Sequence, residues 1–199
     1  MTTLPDLSHA IHVVVDMQDL FDIHPEWGFP ALRQVLPQVT ALAKHSSART
    51  LWTRFIPAGT AEAAQGSWRD YYRQWPTATL TAGADKFLGL LPELRGIARS
   101  EDVFDKHAFS AFAALGFAEV LKRRGATALI LSGAETDVCI WATALDAIDL
   151  GFHVVLPRDA MASFSAEAHA AILGAIAPRF MPQIAVSDTA SILKHWRAP

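Results

Sequence analysis

Cysteine is almost absent from this 199-residue chain: Cys139 is the only one, so no internal disulfide can form and a reducing, cytoplasmic setting is expected. Charge of one sign is also lacking. Seventeen Lys and Arg against twenty Asp and Glu leave a net charge of −3 with no long basic run, which argues against nucleic acid or an anionic membrane as partner. No apolar stretch reaches membrane-spanning length, and Met1 to Ala10 shows neither a basic leader nor an apolar run, so no signal peptide is expected. Repeats, low-complexity tracts and domain-splitting linkers are missing too. What remains is a chain 51% hydrophobic and 19% charged, which predicts one packed domain over residues 1–199.

Short β-branched runs alternate with helical patterns. Ile11–Val15, Thr50–Phe55, Asp102–Phe104, Ala128–Leu131, His153–Leu156 and Gln183–Val186 read as strands, and near-continuous runs such as Val13-Val14-Val15 suit a sheet covered on both faces. Helices are predicted over Ala31–Lys44, Ser110–Arg124 (serine cap, Gly125 stop), Cys139–Leu150 (Gly151 stop) and Ser165–Ala177 (Pro178 stop). This alternation predicts an α/β fold with a parallel sheet. Residues 57–92 break the rhythm with Gly59, Gly66, Pro76 and Gly83 and an aromatic cluster of Trp68, Tyr71, Tyr72 and Trp75. Such an insertion is read as a lid or as an oligomer contact, and the sequence does not choose.

Ligands of open α/β sheets bind beyond the carboxyl ends of the strands. That rule selects Asp16 after the first strand, Lys106 beyond the third and Cys139 after the fourth. The carboxylate can take the thiol proton, and the ammonium can stabilise both anions. Cys139 follows an apolar strand and a polar turn, where helix N–H dipoles favour a thiolate, and it is read as a nucleophile rather than a core thiol.

The segments Val13-Val14-Val15-Asp16-Met17-Gln18-Asp19-Leu20-Phe21, Asp105-Lys106-His107-Ala108-Phe109-Ser110, Gly133-Ala134-Glu135-Thr136-Asp137-Val138-Cys139-Ile140 and Val154-Val155-Leu156-Pro157-Arg158-Asp159-Ala160 carry a resemblance. With them the chain resembles the isochorismatase-like cysteine hydrolases, the superfamily of nicotinamidase and N-carbamoylsarcosine amidohydrolase. The resemblance implies a three-layer αβα fold with a six-stranded parallel sheet. It implies a catalytic triad of Asp16, Lys106 and Cys139 and a cis peptide at Ala134-Glu135. It also implies an oxyanion hole from the backbone N–H groups of Glu135 and Cys139. The activity implied is hydrolysis of a small amide, ureide or similar C–N bond through a thioester, with relatives commonly forming dimers or larger rings.

Nicotinamidases bind a metal through an Asp-x-His pair after the second strand, where this chain reads Thr53-Arg54-Phe55-Ile56-Pro57. Asp22 and His24 are read as surface polar residues, so neither metal nor other cofactor is expected. Isochorismatases proper lack the cysteine, which places this chain with the amidohydrolases. For the pocket, Phe21 is an apolar wall or core, Trp68, Tyr72 and Trp75 close over a small-molecule substrate or cap the core, and Trp141 lies in the first turn after the nucleophile. Arg54 either binds a substrate carboxylate or pairs with Asp16 or Asp19. His107 either polarises a substrate group or is structural. Asp137 braces the turn or meets a neighbouring subunit, and His169 faces solvent. Two other functions share these residues: a ligand-binding pseudoenzyme, and a redox-active thiol that has no second cysteine to resolve a sulfenic acid.

Overall fold

The computed structural model describes residues 3–197. In chain order it runs β1 (Ala10–Val15), α1 (Ala31–His45), β2 (Thr50–Phe55), α2 (Trp68–Gln74), α3 (Pro92–Arg95), β3 (Val103–Lys106) and α4 (Phe117–Arg123). It continues with β4 (Ala128–Ala134), α5 (Trp141–Asp149), β5 (His153–Pro157), β6 (Met161–Ala162), α6 (Ala166–Ala171), β7 (Ile184–Ser187) and α7 (Thr189–His195). Six strands line up as β3-β2-β1-β4-β5-β7, all parallel, and the two-residue β6 adds a seventh beside the end of β4. The expected six-stranded sheet is therefore present, with β6 the strand that sequence reading missed.

Period-two alternation divides the strands between two cores. Val14 and Ile130 pack with Leu32, Val39 and Leu42 of α1 and with Trp196. Val13, Val15, Leu129 and Leu131 pack on the opposite face with Leu121 of α4 and Ile140, Ala144 and Ala147. Both faces of the sheet are thus covered, which is why the strands read as continuous apolar runs. Pro37 is tolerated inside α1 because it sits on the exposed face, where the carbonyl it leaves unbonded meets water.

The helix expected from Ser110 starts later. Ser110 caps only a short 3-10 turn, accepting the Phe112 N–H at 3.2 Å, and Gly116 at φ +79° then resets the chain before α4 begins. Ser165 does cap α6, accepting the Ala168 N–H at 3.1 Å, but regular α-helix ends at Ala171 and passes into π and 3-10 turns through Phe180. The 57–92 insertion contains α2, and its end folds back on the loop after β1. The Leu91 N–H donates to Met17 O at 2.9 Å, and the Asp19 N–H to Gly89 O at 3.0 Å.

From the centre of the sheet, β1 leads to β2 and β3 on one side, and β4 leads to β5 and β7 on the other. The crevice between the ends of β1 and β4 is therefore the topological switch point. Two unusual backbone conformations meet there. Asp16 is the only non-glycine residue with positive φ among the described residues, at +52°, and Gly133, opposite Val15, stands at +109°. A Cβ on Gly133 would lie 2.1 Å from Val15 O, so backbone rather than a yielding side chain would have to move. Gly133→Ala is expected to cost more than about 3 kcal/mol of stability in denaturant unfolding. A cost below about 1 kcal/mol would show that β1 and β4 are not held this closely.

Candidate active site

At the switch point the chain buries three reactive side chains. Asp16 and Lys106 are fully inaccessible, and Cys139 is 5% exposed. Lys106, the last residue of β3, reaches across β2 so that Nζ lies 2.7 Å from Asp16 Oδ2 and 3.4 Å from Cys139 Sγ. Nζ also donates to Ala108 O at 3.0 Å and stands 5.1 Å from the centre of the Phe55 ring. The contact with Asp16 Oδ2 is close enough for charge pairing though not aligned as a hydrogen bond. Asp16 is oriented from β2: Thr53 Oγ1 donates to Oδ1 at 2.7 Å. Gln18 ties the same corner down, donating to Phe55 O and Leu88 O and accepting the Phe55 N–H at 2.7 Å.

Cys139 sits in a π turn, Thr136–Ile140, that runs directly into α5, and the Ala134–Glu135 peptide before it is cis. The expectation of a thiolate favoured by a helix end is corrected here. Burial pushes the Cys139 thiol up, Asp16 pushes it further, and Lys106 only partly opposes them, so the resting sulfur is protonated. Lys106 behaves oppositely: burial works against its charge, yet the Asp16 carboxylate beside it, with the Cys139 sulfur as a further acceptor, holds its pKa above the ordinary lysine value. The trio is therefore a carboxylate with a fixed ammonium and a neutral thiol within reach of both.

At Glu135 and Asp137, in the turn that carries Cys139, opens a cleft of about 270 Å³ that none of the three reactive side chains lines. Phe21, Trp27, Tyr71, Trp75 and Phe164 supply its apolar walls, and Glu135, four residues before the cysteine, supplies part of its rim. Phe21 and Trp75 were expected there. Tyr71, not Tyr72, is the tyrosine that faces it: burial chiefly, then neighbouring Tyr72, Cys139 and Glu135, push the Tyr71 hydroxyl up, so it stays neutral beside the sulfur. Successive residues on α2 point about 100° apart, which sends Tyr72 elsewhere. Trp68, Tyr72 and His107 together line a different hollow with Ile56 and Gln65.

Other expectations change as well. Arg54 neither lines the cleft nor pairs with Asp16 or Asp19; it forms a two-pronged pair with Asp105, its register partner on β3, at 2.7 and 2.8 Å. Both side chains are about a third or more exposed, so this pair between β2 and β3 is worth only about 0–1 kcal/mol. Asp19 pairs instead with Arg95 at 2.7 Å. His107 Nδ1 is held at 3.0 Å from Ile56 O, and Trp141 packs edge-on against Phe180, 5.5 Å between centroids, outside the cleft. His24 is buried rather than surface: Nδ1 accepts from the Glu26 and Trp27 N–H groups, and Nε2 lies 3.2 Å from Thr77 O, fastening the insertion. Asp22 pairs with Arg33. His169 is half-buried, with Nδ1 2.8 Å from Thr136 Oγ1, and Asp137 braces the turn by accepting from Ser163 Oγ.

Thr53, Trp27 and Phe164 escaped sequence reading. Thr53 had a usable signal, since it lies near the carboxyl end of the strand beside β1 and its carbonyl accepts the Asp16 N–H. Trp27 and Phe164 lie in loops with no pattern to mark them. Among the described residues no group of three or more His, Cys, Asp or Glu side chains is arranged to hold a metal ion. The Thr53–Pro57 segment carries no ligand set either, since Thr53 serves Asp16 and Arg54 serves Asp105.

Comparison with known proteins agrees with this fold. A cysteine hydrolase structure from Pseudomonas syringae pv. phaseolicola 1448A superposes with a TM-score of 0.78 at 21% identity, covering 97% of this chain and 94% of that one. Nicotinamidase 3 of Arabidopsis thaliana is 25% identical over 170 residues, 85% of this chain and 81% of the relative. An uncharacterised isochorismatase family protein of Bacillus subtilis (strain 168) is 36% identical over 107 residues, 53% of this chain, and the match spans only 58% of that relative's length. The family model described as an isochorismatase domain matches residues 10–188, which takes in every strand of the sheet and all three members of the buried trio; the chain belongs to the isochorismatase family.

Proposed function

We propose that this protein is a cysteine-dependent amidohydrolase that cleaves a small, non-peptide amide or ureide through a thioester. The observation that carries the reading is the single ammonium of Lys106, within 2.7 Å of a buried carboxylate and 3.4 Å of a buried thiol whose turn borders an aromatic cleft. The family's amidase members, such as the nicotinamidase relative, support it.

Asp16 accepts the thiol proton as sulfur attacks the amide carbon, so the costly thiolate never accumulates at rest. The tetrahedral oxygen takes hydrogen bonds from the Glu135 and Cys139 N–H groups. Asp16 passes its proton to the departing nitrogen, the C–N bond breaks, and ammonia or an amine leaves behind an acyl-Cys139 thioester. A water deprotonated by Asp16 then attacks the thioester, the C–S bond breaks, and the proton returns to sulfur as the acid is released. Lys106 remains charged throughout and keeps the carboxylate at the sulfur.

Ammonia release from a panel of small amides tests this. Stoichiometric carboxamidomethylation of Cys139 with iodoacetamide is expected to end release from every amide that the untreated protein turns over. Release at the untreated rate from fully alkylated protein would sink the reading.

A further inference from the structure

The cleft has an unbalanced set of charges. Glu26, Glu135 and Asp137 all line it, and no Arg, Lys or His side chain does. Among the described residues none of the three has an ion-pair partner within bridging distance, whereas Asp19, Asp22, Asp102 and Asp105 are each matched to an arginine. Neutral donors hold the three carboxylates instead. Thr77 Oγ1 donates to Glu26, Ser163 Oγ to Asp137, and the Phe164 N–H to Glu135 at 2.9 Å. Such donors fix a carboxylate in place without cancelling its charge.

The same cleft is walled by aromatic rings, whose faces are also electron-rich. Phe21 and Trp27 stack within 3° of parallel at 6.1 Å, and Trp27 and Tyr71 meet at 6.0 Å. Burial, above all, together with the charge of Asp137 raises the Glu135 carboxyl, as expected for an acid with a negative neighbour and no cation. A pocket that joins ring faces to unpaired carboxylates attracts positive charge and repels negative charge.

We propose that this cleft selects amides whose non-reacting end is a cation, an alkylammonium or quaternary ammonium group seated between the Trp27, Tyr71 and Trp75 rings and the Glu26, Glu135 and Asp137 carboxylates. This substrate class rests on the amidohydrolase reading of the same site.

Three amides of matched length separate charge from shape: 4-(trimethylammonio)butanamide, its carbon isostere 5,5-dimethylhexanamide, and the monoamide of glutaric acid. Binding is measured by tryptophan fluorescence in full-length Cys139→Ser protein, so that it does not depend on turnover. The cationic amide is expected to bind roughly tenfold or more tightly than the isostere, with the anionic amide weakest. Added salt weakens the cationic ligand and leaves the isostere unchanged, a readout that needs no further variant. Glu26→Gln with Asp137→Asn brings the cation-to-isostere ratio toward one. Equal binding of cation and isostere, tighter binding of the anion, no binding of any amide, or a ratio that survives both salt and the double substitution would overturn the proposal. Tight cation binding with no ammonia release by the unsubstituted protein from any amide would sink the hydrolase reading while leaving the charge selectivity standing.

Discussion

Cys139→Ala is expected to lower kcat on any amide substrate by on the order of 10⁴-fold or more while leaving the fold intact. The side chain is small and sits in a turn held by other groups, the Thr136–His169 contact and the Ser163–Asp137 bond among them. Its loss therefore leaves the Asp16–Lys106 pair and the cleft in place. What disappears is the sulfur that the proposed mechanism bonds to the acyl carbon. The residue of activity left behind would come from Asp16 activating water directly and from backbone donors that remain. Circular dichroism and steady-state ammonia release on the same preparation check both halves of the statement. A folded variant within tenfold of wild type, about 1.4 kcal/mol in barrier, would mean that sulfur is a bystander.

Lys106→Met is the second large effect, and it acts on stability as well as on rate. Removing one partner of a buried ion pair leaves the other charged in low dielectric, which costs about 3–5 kcal/mol, against about 0–1 kcal/mol for an exposed pair such as Arg54–Asp105. Both Lys106 and Asp16 are fully inaccessible, so the larger range applies. Adding Asp16→Asn to Lys106→Met removes the stranded charge and is expected to recover at least about 2 kcal/mol, while activity stays lost in both. Urea unfolding of wild type, the two single variants and the double variant closes the cycle. A cost under about 1 kcal/mol for Lys106→Met would place the ammonium in water, not at the sulfur.

Sequence patterns carry the architecture further than they carry the pocket. Strands β1, β2, β4 and β5 announce themselves because both sheet faces are buried, and a rule about strand ends then brings Asp16, Lys106 and Cys139 to one edge. Resemblance adds the cis Ala134–Glu135 bond, which no local pattern encodes. The misread positions are those where tertiary partners decide. Arg54 has a substrate carboxylate, Asp16 or Asp19 as candidate partners until β3 is paired in register and sets Asp105 beside it. His24 looks exposed until the insertion folds back over it. Tyr71 and Tyr72 are adjacent in sequence, and only the rotation of α2 tells which one meets the cleft. The Cys139 thiol is a related case: helix placement lowers a thiol pKa, whereas near-complete burial and then the neighbouring Asp16 push this one up.

That reversal makes the covalent step the point on which the mechanism turns, since a protonated resting thiol must still become an acyl carrier during turnover. Acid quenching of wild-type protein in the first turnover with an amide substrate, followed by peptide mass spectrometry, measures this directly. The account predicts a mass increase equal to the acyl group on the peptide containing Cys139, removed by hydroxylamine as the hydroxamate and never seen in Cys139→Ala. Steady release of ammonia and acid with Cys139 unmodified at every quench time, and no hydroxamate formed, would contradict it.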